Sequence, residues 1–256
     1  HTRAVKHTFL KDAVFVIVAS VVLSTLMKAF LFMPFIIPSG SMENTLQVED
    51  RILTYRLKPH PFALDRGDVV VFKDNREWMD PNNDGHQDDG DTPIQKALKF
   101  IGFMPEDDDS YLVKRVIGLP GDHVACKGTG YPVTVNGKAI DESSYIKKGS
   151  DPSSMPFDVI VPDNSLWVMG DNRNNSADSR YHQGLPTKGF VSEDDVVGDV
   201  FLIFWPSQRA QRIADVKEVF KDVPASDESS KNDADSTTLS GDLSDDSDGT
   251  SVQIGG

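Results

Sequence analysis

Residues 13–27, AVFVIVASVVLSTLM, carry no charge, and after Lys28 the apolar run continues as AFLFMPFII to Ile37. A helix over residues 13–33 would be roughly 31 Å long, about the thickness of a bilayer core. The run has no polar face, which argues against a core helix of a soluble domain. Lys28 lies toward one end, where its stem lets the ammonium reach the headgroups. A cleaved secretory signal shares the basic start and apolar middle, but no convincing A-x-A follows and the run is long for one. An uncleaved anchor is therefore favoured. Arg3, Lys6 and Lys11 precede it against Asp12 alone, so residues 1–12 are expected in the cytoplasm and everything after Pro34 outside.

Beyond Pro34 the pattern changes to that of strands. RILTYRL (Arg51–Leu57), DVVVFK (Asp68–Lys73) and YLVKRVIGL (Tyr111–Leu119) are rich in β-branched and aromatic residues and bounded by turn formers. VTVNGKAI sets Asn136-Gly137 between two short apolar runs, a hairpin signal, and SLWVMGD and VVGDVFLIFW add two more strands. TPIQKALKFIGF (Thr92–Phe103) is the best helical candidate, with Pro93 suited to a first turn. The expected fold is mainly β: an N-terminal transmembrane helix, then an antiparallel, barrel-like or Greek-key body over residues 34–213. Residues 74–110 read as an insert, and about 123–165 as a second β subregion.

Charge sharpens this division. The chain of 256 residues holds 26 basic and 40 acidic side chains, a formal charge of −14. Residues 221–256 account for −7 and residues 74–109 for −8, which leaves the remainder near neutral. The acidity thus belongs to two segments. The tail, residues 214–256, is Ser/Asp-rich with little to bury and reads as disordered. So acidic a chain offers nothing to neutralise phosphates, and nucleic acid is excluded as a partner. A single cysteine, Cys126, excludes an intrachain disulfide and any multi-cysteine metal site. The start at His1 rather than Met suggests a fragment.

Three blocks can carry chemistry. IIPSGSMENTL (Ile36–Leu46) stands where the chain would leave the membrane; small residues around a hydroxyl allow close approach of a peptide carbonyl, and Ser39 can aim at the same oxygen as Ser41. Ser-Gly-Ser alone is usually a plain loop. A serine also needs a base, and His60, His123 and His182 all lie in turn-like settings. Lys114, in contrast, interrupts an apolar strand. Alternation puts Leu112, Lys114 and Val116 on one face and Val113, Arg115 and Ile117 on the other, so one cation sits among apolar neighbours. A lysine kept from water has a lowered pKa, and its neutral amine can take a proton from a serine hydroxyl. An edge-strand lysine with its head in solvent is the plainer alternative. The third block, MGDNRNNSADSRYHQGLP (Met169–Pro186), suggests a tightly bonded loop in which Asp178 pairs with Arg180 and Ser176 orients a nearby amine.

Together these stretches resemble bacterial type I signal peptidases, membrane-anchored serine endopeptidases that remove signal peptides from exported preproteins. The matching blocks, in order, are the anchor, PSGSM (Pro38–Met42), DRILTYRL (Asp50–Leu57), RGDVVVF (Arg66–Phe72), YLVKRVIGLPGD (Tyr111–Asp122) and GDNRNNSADSR (Gly170–Arg180). The single anchor and the acidic insert are more similar to Gram-positive members. The resemblance implies Ser41 as nucleophile, Lys114 as general base and Ser39 as an oxyanion-hole hydroxyl beside the Ser41 N–H. It further implies that Ser176 hydrogen-bonds the lysine, with Asp178 and Arg180 as a supporting pair. Two positions depart from the family pattern: Asn44 stands where proline is common, and Asn174 where aspartate often follows GDNR.

The same resemblance implies an extended peptide lying between PFIIPSG and the Leu112–Lys114 strand, with Phe35, Ile37, Leu112 and Val113 shaping pockets for alanine-sized groups at an A-x-A site. Signal-peptide-bearing preproteins and the lipid bilayer are the expected partners, with the chain in the cell membrane as a single-pass protein and no cofactor. Phe32, Phe35 and Phe62 are candidates to enter lipid. Asp80–Asp91 fits calcium-loop spacing, with oxygens at positions 1, 3, 5, 9 and 12 and glycine at 6. Position 12 is Asp, however, and the entering helix is poor, so a solvated insert is preferred to calcium and no metal is expected. Two rival functions are a soluble self-cleaving repressor-type peptidase, disfavoured by the anchor, and an inactive anchored module that binds exported peptides.

Overall fold

The computed structural model describes residues 12, 14–24, 31–74, 78 and 111–226. Twelve strands are present among the described residues: β1 (Phe32–Ile36), β2 (Arg51–Tyr55), β3 (Val69–Lys73), β4 (Tyr111–Gly118), β5 (His123–Cys126), β6 (Thr134–Val135), β7 (Lys138–Ala139), β8 (Phe157–Ile160), β9 (Ser165–Met169), β10 (Val191–Ser192), β11 (Val196–Trp205) and β12 (Gln211–Arg212). The larger sheet runs β1-β2-β11-β3-β4-β9-β10 with β12 on β11, and the smaller runs β7-β6-β5-β8. Every pairing is antiparallel. The expected mainly β body is present, but among the described strands the larger sheet is an open path, with β1 and β10 at its ends, rather than a closed barrel.

Strand β3 explains why the larger sheet is a rigid platform. Its continuous run VVVFK buries both faces: Val69 and Val71 join Phe35, Ile37, Met42, Leu46 and Ile203 in one cluster, while Val70 and Phe72 join Val116, Leu166 and Val168 in another. An unbroken apolar run of this length has no face to give to solvent. The third cluster forms where the two sheets meet, around Ile117, Val124, Val135, Phe157 and Trp167. In the β6–β7 hairpin, Asn136 and Gly137 have φ of 51° and 77°, the two left-handed positions a tight primed turn requires.

Three expectations are corrected or bounded. A helix through Met33 does not form: Phe32 and Met33 already belong to β1, because Met33 pairs with Thr54 on β2 and is buried in the core. Residues 14–24 are helical with Val14, Phe15, Ile17 and Leu23 exposed, and no helix among the described residues is long and apolar enough to cross a membrane. The tail is not disordered at its start. Val216 and Phe220 are buried against the third cluster, Lys217 lies 2.6 Å from Asp65, and Asn136 Nδ2 donates to the Pro224 carbonyl at 2.8 Å. Composition averaged over residues 214–256 hides these few apolar residues. The helix expected over Thr92–Phe103, the Asp80–Asp91 loop and residues 227–256 lie outside the described residues.

Candidate active site

The chain leaves β1 through Ile37, whose N–H donates to Asp50 O at 2.9 Å, and turns in a 3-10 turn, Gly40–Met42. Met42 and Leu46 are fully sunk into the core and peg this turn to the sheet. Ser41 lies between those anchors, and Ser39 precedes it in extended conformation. From β4, separated from β1 by β2, β11 and β3 in the sheet order, Lys114 reaches the same point: its Nζ is 2.8 Å from Ser41 Oγ and 3.0 Å from the Val113 carbonyl oxygen. Alternation holds along β4, with Leu112 and Val116 packed in one cluster and Val113 in another.

Lys114 is 2 % exposed, and among the described residues no carboxylate lies within ion-pair distance of it. Burial drives its pKa from 10.5 down to about 8; the more distant Asp178 and Asp171 oppose that fall without cancelling it. An amine with that pKa is partly neutral at physiological pH and can accept a proton from the hydroxyl beside it. Ser39 Oγ donates toward Ser41 Oγ at 3.4 Å, a long contact from a hydroxyl free to rotate.

The loop after β9 braces this pair. Gly170 has no room for a side chain: a Cβ there would come within 2.2 Å of Ser176 Oγ and 2.5 Å of the Ser41 carbonyl oxygen. Asp178 and Arg180 form the expected buried pair, with Arg180 Nε 2.8 Å from Asp178 Oδ1 and Nη2 2.8 Å from Oδ2; the Gly170 N–H also donates to Oδ2 at 3.0 Å. Burial works against the Asp178 charge, yet the guanidinium and that N–H hold its pKa below the usual carboxylate range. Ser176 corrects an expectation. Its Oγ is buried beside Asp178 and helps keep that carboxylate charged, but it has no partner of good hydrogen-bond geometry, Lys114 included.

A small cleft of about 20 Å³, room for about one water, is lined by Ile37, Pro38, Ser39, Ser41, Met42, Tyr111, Leu112, Val113 and Lys114. Ile37, Leu112 and Val113, named from the sequence as pocket residues, are among those that line it. Phe35 does not line the cleft. It is buried beneath, its ring 5.2 Å from that of Tyr111, because alternation along β1 turns it inward; that burial also removes it from any lipid-facing role. The three histidines weighed as bases stand elsewhere: His60 is exposed, His123 pairs with Asp158, and His182 contacts the Asp178 carbonyl and stacks on Trp78.

Several residues of the site went unrecognised in the sequence. Asp171 accepts from Arg115 Nε at 2.8 Å and Nη2 at 2.6 Å, and from Thr45 Oγ1 at 2.5 Å. Arg173 pairs with Glu142, which also accepts from Tyr145 Oη, while Asn172 reaches the Ser41 turn. The signal was the density of charged and amide residues in GDNR. Their partners lie far away in sequence, and spacing does not reveal them. Among the described residues no cluster of His, Cys, Asp or Glu is arranged to hold a metal.

Residues 10–205 match the family described as signal peptidase, peptidase S26. The chain belongs to this family. It is 38 % identical over 232 residues to signal peptidase I of Mycobacterium tuberculosis H37Rv, covering 81 % of this chain and 76 % of that protein. It is 32 % identical over 198 residues to signal peptidase I S of Bacillus subtilis 168, covering 74 % of this chain and 86 % of that one. A solved signal peptidase I from Enterococcus faecalis V583 aligns at 23 % identity with a TM-score of 0.31, over 53 % of this chain and 95 % of that chain. As a member of this family the chain is a serine protease and hydrolase.

Proposed function

We propose that the chain is a membrane-anchored endopeptidase that removes signal peptides from exported preproteins by a Ser41–Lys114 acyl-enzyme mechanism. The observation that carries this reading is a buried lysine amine, its pKa pressed to about 8, at hydrogen-bond distance from a serine hydroxyl. Neutral Lys114 takes the Ser41 proton as Oγ attacks the scissile carbonyl. The negative oxygen that forms is held by the Ser41 N–H and the Ser39 hydroxyl, each such donor being worth about 10²–10³ in rate. The lysine then gives its proton to the leaving amine. A water deprotonated by the same lysine hydrolyses the ester, and the enzyme is regenerated.

The cleft supports a choice of small residues. A substrate entering as an extended strand points alternate side chains at its floor. Walls of Ile37, Leu112, Val113 and Tyr111 around about 20 Å³ leave room for one group no larger than a methyl, which suits a small residue such as the alanine of an A-x-A site. Anchoring is supported by the apolar sequence of residues 13–27 and by one exposed row on the larger sheet. Ile36, Arg51 and Trp205 form one exposed row across β1, β2 and β11, a mixture of apolar, aromatic and cationic groups suited to a membrane interface. Phe62 is also exposed.

The test is cleavage of a precursor bearing an A-x-A site by the detergent-solubilised protein. Ser41→Ala and Lys114→Ala are expected to lose at least about 10³ in kcat/KM, whereas His123→Ala and His182→Ala keep cleaving. Full activity without either member of the pair would overturn the mechanism.

A further inference from the structure

An oxyanion hole is only as good as the direction of its N–H. The Gly40–Ser41 peptide is trans, since among the described residues the cis bonds are those before Pro59, Pro61 and Pro206. In a planar trans unit the carbonyl and the N–H point in opposite directions, so whatever fixes the Gly40 C=O also aims the Ser41 N–H. Asn172 does this. Its Nδ2 donates to Gly40 O at 2.9 Å, where the Glu43 N–H of the turn is a second, longer donor at 3.2 Å, and its own backbone N–H donates to Ser41 O at 3.0 Å, so one side chain and its backbone grip the carbonyls on both sides of the Ser41 nitrogen and Cα.

Asn172 is itself held. It is 3 % exposed, and its Nδ2 also donates to Glu43 Oε2 at 3.2 Å. Both partners of that nitrogen are acceptors only, so the amide cannot be turned over without placing oxygen against oxygen. Glu43 Oε2 in turn receives Lys147 Nζ at 2.5 Å, and Lys147 N–H donates to the Asp171 carbonyl at 2.8 Å, beside Asn172 in the chain. The relay closes on itself: Lys147 to Glu43 to Asn172 to the nucleophile's turn, and back through Asp171. Lys114 is no member of it. Asn172 therefore acts on the developing oxyanion rather than on the base.

We infer that Asn172, held by Glu43 and Lys147, is the positioning residue that aims the Ser41 N–H at the transition-state oxygen. This rests on the Ser41–Lys114 reading above and adds a residue to it. The test uses the full chain in detergent, with an A-x-A precursor peptide as substrate and a peptidyl boronate of the same sequence, whose tetrahedral adduct on Ser41 puts an oxygen in the hole. Asn172→Ala is expected to lower kcat about 10- to 100-fold with KM within about threefold, to weaken the boronate by the same factor, and to leave the pH midpoint of activity in place. Asn172→Asp, the same shape without the donor, falls at least as far. Glu43→Ala loses about tenfold, and Glu43→Gln, whose amide oxygen still accepts, recovers most of it. Should Asn172→Ala fold poorly, the two Glu43 variants carry the same test from the turn's surface. Wild-type boronate affinity in Asn172→Ala, or full activity in Asn172→Asp, would overturn the inference. Cleavage that survives Ser41→Ala would instead overturn the reading beneath it.

Discussion

Lys114 and Arg115 are neighbours on β4, both almost wholly buried, and they point to opposite faces of the strand. Arg115 meets Asp171 through two hydrogen bonds, Gly67 O at 2.6 Å and Thr45 Oγ1 at 3.2 Å, and lies 4.5 Å above the Tyr145 ring. Burial acts against its charge, but Asp171 more than offsets that, and its pKa is raised. Lys114 meets a hydroxyl and a carbonyl instead, and its pKa falls to about 8. The same desolvation acts on both. A counter-ion at contact distance makes one cation a structural strut, and its absence leaves the other with a lowered pKa, which suits the base proposed above. The difference lies in what the two faces present, Asp171 on one and Ser41 on the other.

The comparison breaks most visibly at the strut. Asp171→Ala strands a buried guanidinium and is expected to cost about 3–5 kcal/mol of unfolding free energy, measured by denaturant titration. Lys114→Met should act with the opposite sign. The folded-state pKa of about 8 lies below the unfolded value of 10.5, so the charged lysine is a burden below pH 8 that fades as pH rises toward 10.5. Replacing it should therefore stabilise the fold at pH 7, by on the order of 1–3 kcal/mol, while abolishing cleavage. A loss of stability instead would mean that the lysine is a strut as well.

A milder version appears at Asp199 on β11, an acid whose surroundings fit its charge poorly. Burial and the Asp68 carboxylate raise its pKa to about 7, against partial relief from Lys58. Here the folded pKa exceeds the unfolded one, so stability is fullest below about pH 4 and declines as the pH rises to 7. Asp199→Asn should raise the melting temperature by about 2–4 °C at pH 8 and leave it nearly unchanged at pH 4. Equal melting at both values would show that the group is already well paired.

Local pattern revealed the strands, because β-branched runs are signals carried by adjacent positions; Ser41 and Lys114, which the structure brings to 2.8 Å, stood out as a pair only through the family resemblance of the blocks that hold them. It misjudged the boundary at Phe32, where an apolar run suits a helix and a buried strand equally well and only pairing with β2 decides. Phe35 was misplaced for a related reason: hydrophobicity does not say whether a side chain lines a cleft or lies beneath it. Asp171, Asn172 and Arg173 were hidden more deeply. Their roles depend on Arg115, Gly40 and Glu142, which lie 56, 132 and 31 positions away. The start of the tail was lost to averaging, since two apolar residues in a polar segment weigh little in composition but anchor it in space.

The central claim is that Lys114 is uncharged when the enzyme works, and its own titration tests this most directly. With lysine labelled at Cε and the resonance assigned through Lys114→Met, the carbon shift of the wild-type protein is expected to titrate with a midpoint of about 8, alongside the rise in kcat/KM. A midpoint above 10, with activity already at its plateau by pH 7, would contradict the account.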